Sequence, residues 1–175
     1  ANRWHRAEHG SIVQDLYAWD PSSGSRFLTS GERLVEVDTL SGRRLVAICD
    51  APMGAALVHG PIPSSRGPVA IETLLRWPRG VTPHSIAASG DGKRLLLSAV
   101  EPDGRRGLWG FSIGHDSVDT LRFGVSSSEA RGCVWLDPHR IAWTSHEGGM
   151  SQVRTARWPM GGRIEGDTLR TALGT

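Results

Sequence analysis

Apolar residues in this chain fall into short runs, interrupted roughly every 8–12 residues by Gly, Pro, Asp or Ser, the spacing of turns between short strands. Two kinds of run are present. Leu45-Val46-Ala47-Ile48-Cys49, Leu95-Leu96-Leu97 and Ile141-Ala142-Trp143 are continuously apolar, as expected of central strands buried between adjacent blades. Asp15-Leu16-Tyr17-Ala18-Trp19-Asp20 instead alternates like a strand and runs into the turn Pro21-Ser22-Ser23-Gly24. Helical periodicity is poor throughout. In the one candidate segment, with Ile164, Leu169 and Leu173 apolar, Gly166, Thr168 and Thr171 favour a strand equally well. The pattern predicts an all-β protein.

The strands repeat. Thr39-Leu40-Ser41-Gly42-Arg43-Arg44-Leu45-Val46-Ala47, Ser89-Gly90-Asp91-Gly92-Lys93-Arg94-Leu95-Leu96-Leu97 and Leu136-Asp137-Pro138-His139-Arg140-Ile141-Ala142-Trp143 share one plan: a turn, a basic residue, an apolar strand. Arg44, Arg94 and Arg140 are 50 and 46 positions apart, close to the roughly 40–50 residues of a four-stranded propeller blade. A second element recurs in the same order: Asp15 to Asp20, then Gly107-Leu108-Trp109-Gly110-Phe111-Ser112-Ile113, then Ser151-Gln152-Val153-Arg154-Thr155-Ala156-Arg157-Trp158, with Ala55-Ala56-Leu57-Val58-His59-Gly60 as the weakest copy. The expected organisation is one segment over 1–175. Residues 1–30 supply the outer strands of one blade, and 31–80, 81–125 and 126–175 supply further blades. About three and a half blades of four-stranded antiparallel sheet make a partial β-propeller. A blade cannot bury its faces alone, so closure calls for the remaining blades of a longer chain or for a second copy.

Two stretches resemble the TolB-like propeller repeat family. Ser89-Gly90-Asp91-Gly92-Lys93-Arg94-Leu95-Leu96-Leu97 resembles its "SPDGkrlaf" signature, with Gly90 in place of the usual proline. Asp15-Leu16-Tyr17-Ala18-Trp19-Asp20, followed by Ser23-Gly24 and Phe27-Leu28-Thr29, resembles its "dLyvyDlatGk…rLT" stretch. Residues 39–42 lack the family's Asp-Gly turn. The likeness runs in register over most of residues 11–160. Independently of it, Asp91-Gly92 supplies the positive φ that a tight hairpin needs. Trp19, Trp109, Trp135 and Trp143 are expected to fill the wedges between blades.

Composition narrows the function. Net charge is +2, carried almost entirely by arginines scattered among turns, with no basic stripe interleaved with aromatics, so nucleic acid is not an expected partner. No apolar run reaches the ~18 residues needed to span a membrane. Cys49 and Cys133, 84 positions apart in apolar runs, are read as buried free thiols; a disulfide is possible only in an oxidising compartment.

The search for chemistry nominates no catalytic, cofactor-binding or metal-binding residue. His5-Arg6-Ala7-Glu8-His9 fits the H-x-x-E-H pattern of inverted zinc peptidases, which needs a helix to bring both histidines to one face. Gly10-Ser11 and the strand-like Ile12-Val13 follow at once, so the segment is read as an interblade loop. His59, His84, His115, His139 and His146 lack ligand spacing, and no serine sits in a Gly-x-Ser-x-Gly elbow. Gly148-Gly149 and Gly161-Gly162 are turn glycines without a following helix. Asp91, Asp103, Asp116 and Asp137 are turn formers too dispersed for a calcium loop.

The resemblance implies a non-catalytic scaffold of the bacterial envelope or periplasm, without a cofactor, binding protein partners at the propeller face. The alternative is an accessory or gating propeller of a larger serine peptidase or metallopeptidase.

Overall fold

The computed structural model describes the backbone of residues 2–6, 12–41, 43–51, 54–62, 70–113, 118–123, 129–147, 149–158 and 166–167. These residues form fifteen strands and no helix, so none is long and apolar enough to cross a membrane. The strands make four antiparallel meanders in chain order, the sheets of a partial β-propeller. The first has three strands, β1 (Asn2–Arg6), β2 (Ile12–Asp20) and β3 (Gly24–Phe27). The second has β4 (Leu34–Leu40), β5 (Arg44–Ala51), β6 (Gly54–Pro61) and β7 (Glu72–Arg76). In the third are β8 (Thr82–Ala88), β9 (Arg94–Val100), β10 (Arg106–Ile113) and β11 (Val118–Phe123). The fourth comprises β12 (Glu129–Asp137), β13 (Arg140–Glu147), β14 (Met150–Arg157) and the short β15 (Gly166–Asp167). The chain divides into two compact units, Ala1–Arg79 and Gly80–Thr175.

The continuously apolar runs become the second strands of the sheets. Leu45, Val46, Ala47 and Ile48 on β5 are buried in succession, as are Leu95, Leu96 and Leu97 on β9 and Ile141, Ala142 and Trp143 on β13. On β13 the alternate positions Arg140, Thr144 and His146 are exposed, so that strand has one open side. In the first unit Leu16 and Leu28 pack with Leu34, Leu45, Ala47, Ala56 and Val58. In the second, Ala87, Leu96 and Leu108 pack against Ala130, Cys133, Ile141, Trp143 and Ala156.

Local chemistry fixes the hairpins. Between β8 and β9 the Ser89 amide bonds the Arg94 carbonyl at 2.9 Å, the Gly92 amide bonds the Ser89 carbonyl at 2.8 Å, and Asp91 accepts the Lys93 amide at 3.0 Å. Gly92 has φ +66° there, as the Asp-Gly pair requires. The β4–β5 turn lacks that pair, and Arg43 instead takes φ +62°, a conformation that L side chains enter at a cost. Between β12 and β13, Asp137 accepts the His139 amide at 2.8 Å and pairs with Arg140, as Asp91 pairs with Arg94. One further bond recurs at 2.7 Å in each four-stranded sheet: Ile62 N–H to Arg43, Ile113 N–H to Lys93, and Trp158 N–H to His139. It ties the end of the third strand to the turn before the second.

The tryptophans divide. Trp143 is buried and Trp135 packs against the second unit's core. Trp19, expected in a wedge, is instead 69% exposed. Cys133 is buried and Cys49 half-buried, both as free thiols.

Candidate functional site

Three polar clusters stand out, and their surroundings separate the structural ones from the one open to a ligand. The first is centred on Asp15. Its carboxylate is fully buried and accepts the Thr29 hydroxyl at 2.7 Å, the Gly31 amide at 2.7 Å and the Glu32 amide at 3.1 Å. Thr29 Oγ1 in turn accepts the Leu16 amide at 2.9 Å. The network binds the segment after β3 to β2 and uses the carboxylate's lone pairs internally. Burial, then the Asp15 charge, pushes Glu32 above the usual carboxylate range, and the Cys49 thiol donates to the Glu32 carbonyl at 3.1 Å. This is a structural anchor.

The second cluster joins the third and fourth sheets. The Arg94 guanidinium lies 4.9 Å from the centre of the Trp135 ring and 6.0 Å from that of Trp158, and the two rings are 4.8 Å apart. Trp135 Nε1 donates to the Ala87 carbonyl at 3.0 Å. A cation seated on two aromatic faces, with one ring pinned to the neighbouring sheet, is an interblade clamp.

The third cluster opens to solvent at the opposite end of the fourth sheet. Gly132, with φ +53°, sits at a bulge between Arg131 and Cys133, and such bulges re-aim the neighbouring side chain. Arg131 pairs in register with Thr144, and His146 with Ser151, next to the hairpin that ends at the Glu147–Met150 pair. Arg131, Thr144, His146 and Ser151 line a cleft of about 300 Å³. His146 Nδ1 and Ser151 Oγ are 3.0 Å apart. In the adjacent sheet, burial and then the charges of Arg106 and Arg131 hold the His84 imidazole below its ordinary pKa. Arg106, Arg131 and His84 therefore share one electrostatic neighbourhood near the first residues of β10, β12 and β8. Its chemistry is cationic donors and hydroxyls held on strands, suited to a carboxylate.

Of the histidine motif, His5 lies on β1 opposite Val13, so a strand stands where the zinc pattern needs a helix. Glu8 and His9 lie outside the described residues, as do His115, Asp116, Gly148, Gly161, Gly162, Ile164, Leu169 and Leu173. His59 is held between Arg44 and Glu72, 3.3 Å from the latter. Among the described residues no group of three or more His, Cys, Asp or Glu is placed to hold a metal. Arg131, Thr144 and Ser151 do not stand out in the sequence. The local signals are Gly132, at the bulge beside Arg131, and Gly149, in the turn before Ser151.

Solved structures share this fold. TolB from Acinetobacter baumannii superposes with a TM-score of 0.60 at 15% identity, over 89% of this chain and 38% of its own. XC5397 from Xanthomonas campestris, described as a gluconolactonase important in glucose secondary metabolic pathways, superposes with a TM-score of 0.61 at 14% identity, over 95% of this chain and 57% of its own. The fold is that of a β-propeller. The chain spans less than two-thirds of the length of either protein. No protein-family model matches the sequence, and no curated protein matches it.

Proposed function

We propose that this chain is a non-catalytic propeller scaffold that binds an acidic segment of a protein partner at the loop end of its blades. The observation that carries the reading is the cleft of Arg131, Thr144, His146 and Ser151, with Arg106 and His84 in the same field. Its donors are fixed on hydrogen-bonded strands, so little ordering is needed to present them. A partner carboxylate would take the Arg131 guanidinium, with the Thr144 and Ser151 hydroxyls completing its hydrogen bonds. The propeller fold shared with TolB supports the scaffold reading, and the family resemblance implies the bacterial envelope as its compartment.

The test is fluorescence anisotropy with a labelled Asp/Glu-rich peptide against a basic control. Saturable binding of the acidic peptide, weakened by salt and by at least tenfold in Arg131→Glu, is expected. Equal binding of both peptides, or no effect of Arg131→Glu, would remove the reading.

A second reading is catalytic and rests on the His146–Ser151 contact, in which an imidazole nitrogen is within reach of a hydroxyl proton. The gluconolactonase likeness makes a lactone the substrate to try. Lactone hydrolysis by the chain that disappears in Ser151→Ala would establish that reading in place of the scaffold.

A further inference from the structure

In the third and fourth sheets, the arginine that opens the second strand is held by an aspartate three residues earlier, in its own hairpin. Arg94 Nη2 lies 3.2 Å from Asp91 Oδ2, and Arg140 pairs in the same way with Asp137. Each carboxylate also accepts a turn amide, from Lys93 and from His139. The second sheet departs from this plan. Arg44 opens β5, but Ser41 stands where the others have aspartate, and Arg43 in the same turn takes φ +62°. The Arg44 guanidinium instead reaches across to β6 and donates to His59 Nδ1. His59 is the register partner of Val46; the matching partners of Leu96 and Ala142 are Gly110 and Thr155. Among the three four-stranded sheets, only the second therefore has an imidazole at this place.

The contact fixes the state of the ring. A guanidinium has donors only, so His59 Nδ1 is the acceptor and the imidazole is neutral, with its hydrogen on Nε2. Nε2 faces Glu72 on β7, 3.3 Å from Oε2. The His59 side chain is 13% exposed, which leaves little water to compete for either nitrogen. Burial and then Arg44 hold the imidazole below its ordinary pKa, while Glu72 acts in the opposite direction. Asp38 and Glu36 on β4 share this side of the sheet but lie two strands away, beyond Val46 and Ile48. One ring thus joins β5, β6 and β7.

We propose that Arg44, His59 and Glu72 form an acid-operated latch on the β4–β5 hairpin. A proton taken up by His59 goes to Nδ1, the ring nitrogen without a hydrogen. Nδ1 can then no longer accept from Arg44, and two cationic donors face each other, so the guanidinium withdraws. The same proton turns the Nε2 contact with Glu72 into a charge-assisted one and strengthens it. Acid therefore moves the ring's hold from the hairpin to β7. Arg94 and Arg140 keep their partners while Asp91 and Asp137 stay ionised; the second sheet has Ser41 at that position and depends on His59. The folded imidazole titrates below the unfolded one, so the latch is closed above the ordinary imidazole range and opens as pH falls through the folded midpoint. Its residues all belong to the first unit.

The test is NMR on the full chain, combining a nitrogen-detected imidazole titration with hydrogen exchange at two amides. Ile62 N–H, which bonds the Arg43 carbonyl at 2.7 Å, reports on the hairpin. Trp77 N–H, which bonds the Ala55 carbonyl at 3.0 Å at the other end of the sheet, is the control. At neutral pH His59 should carry its hydrogen on Nε2. As pH falls through the His59 midpoint, Ile62 protection, corrected for the intrinsic pH dependence of exchange, should drop while that of Trp77 stays level. Arg44→Met should raise the midpoint and remove the step at Ile62. Ser41→Asp, which restores the hairpin carboxylate, should draw Arg44 back, raise the midpoint and keep Ile62 protected in acid. Ser41 and Arg44 are both exposed, so neither change disturbs the core. A ring protonated on Nδ1 at neutral pH, a midpoint that neither substitution moves, or Ile62 protection that stays level through it would overturn the proposal.

Discussion

Replacing Asp15 with alanine removes a buried acceptor and leaves its donors behind. The carboxylate holds three hydrogen bonds at 2.7, 2.7 and 3.1 Å, and the side chain is fully buried. Hydrogen bonds to a charged group contribute about 1.5–3 kcal/mol each, so their simple sum is roughly 4.5–9 kcal/mol. The Gly31 and Glu32 amides are only part-buried and can recover water, which lowers the expected loss to about 3–5 kcal/mol. A domain of this size shifts by about 4–8 °C per kcal/mol, so the first unit should melt roughly 12–40 °C lower. Thr29→Val, which keeps the shape but strands the Leu16 amide, should cost about 1–2 kcal/mol. Its effect should be largely absent when Asp15 is already alanine, because the two groups form one network. The assay is a urea double-mutant cycle read together with hydrogen exchange at the Leu16 and Leu28 amides. The Leu28 amide bonds the Leu16 carbonyl at 2.9 Å and so reports whether β2 and the segment after β3 separate. A loss below about 0.5 kcal/mol for Asp15→Ala, or strictly additive effects, would refute the anchoring role.

Other consequences are equally direct. Phe111→Ala, which empties a fully buried ring site, should cost about 3–5 kcal/mol by urea denaturation, whereas Leu136→Ala at a half-exposed position should cost far less. Arg94→Ala should lower stability by about 1–2 kcal/mol, and Arg94→Lys should recover only part of it, since a point charge cannot lie flat on both rings. Asp20 is held at about 2, first by the Ser22 hydroxyl and then by the Ser23 and Ser22 amides. Its folded value lies below the unfolded one, so the linked stability is present above about pH 4 and is lost as pH falls toward 2. A carboxyl NMR titration should find that midpoint, and Ser22→Ala should move it up. His59 is lowered first by burial and then by Arg44, so its contribution is present above the ordinary imidazole range and disappears on acidification. Glu72→Gln should lower the His59 midpoint further, because Glu72 acts in the opposite direction.

The all-β class and the repeated antiparallel meanders were legible in the sequence because both depend on local interactions. Period-two alternation and continuous apolar runs set the strands, and Asp91-Gly92 and Asp137-Pro138 set the turns through side-chain bonds spanning two or three residues. The recurrence of Arg44, Arg94 and Arg140 likewise marks one position, the start of the second strand in each sheet. Packing over long separations decided the rest. Trp19 and Phe111 occupy corresponding positions in the repeat, yet one is exposed and the other buried. Asp15 resembles a strand-edge aspartate until the segment after β3 folds over it and supplies donors from Thr29, Gly31 and Glu32. Arg131 lies 25 residues from Arg106 and 47 from His84, and only the alignment of β8, β10 and β12 brings their charges into one field. Sequence determines the strands and turns because these are neighbour effects. The site arises when distant strands are stacked, and only the tertiary structure fixes that stacking.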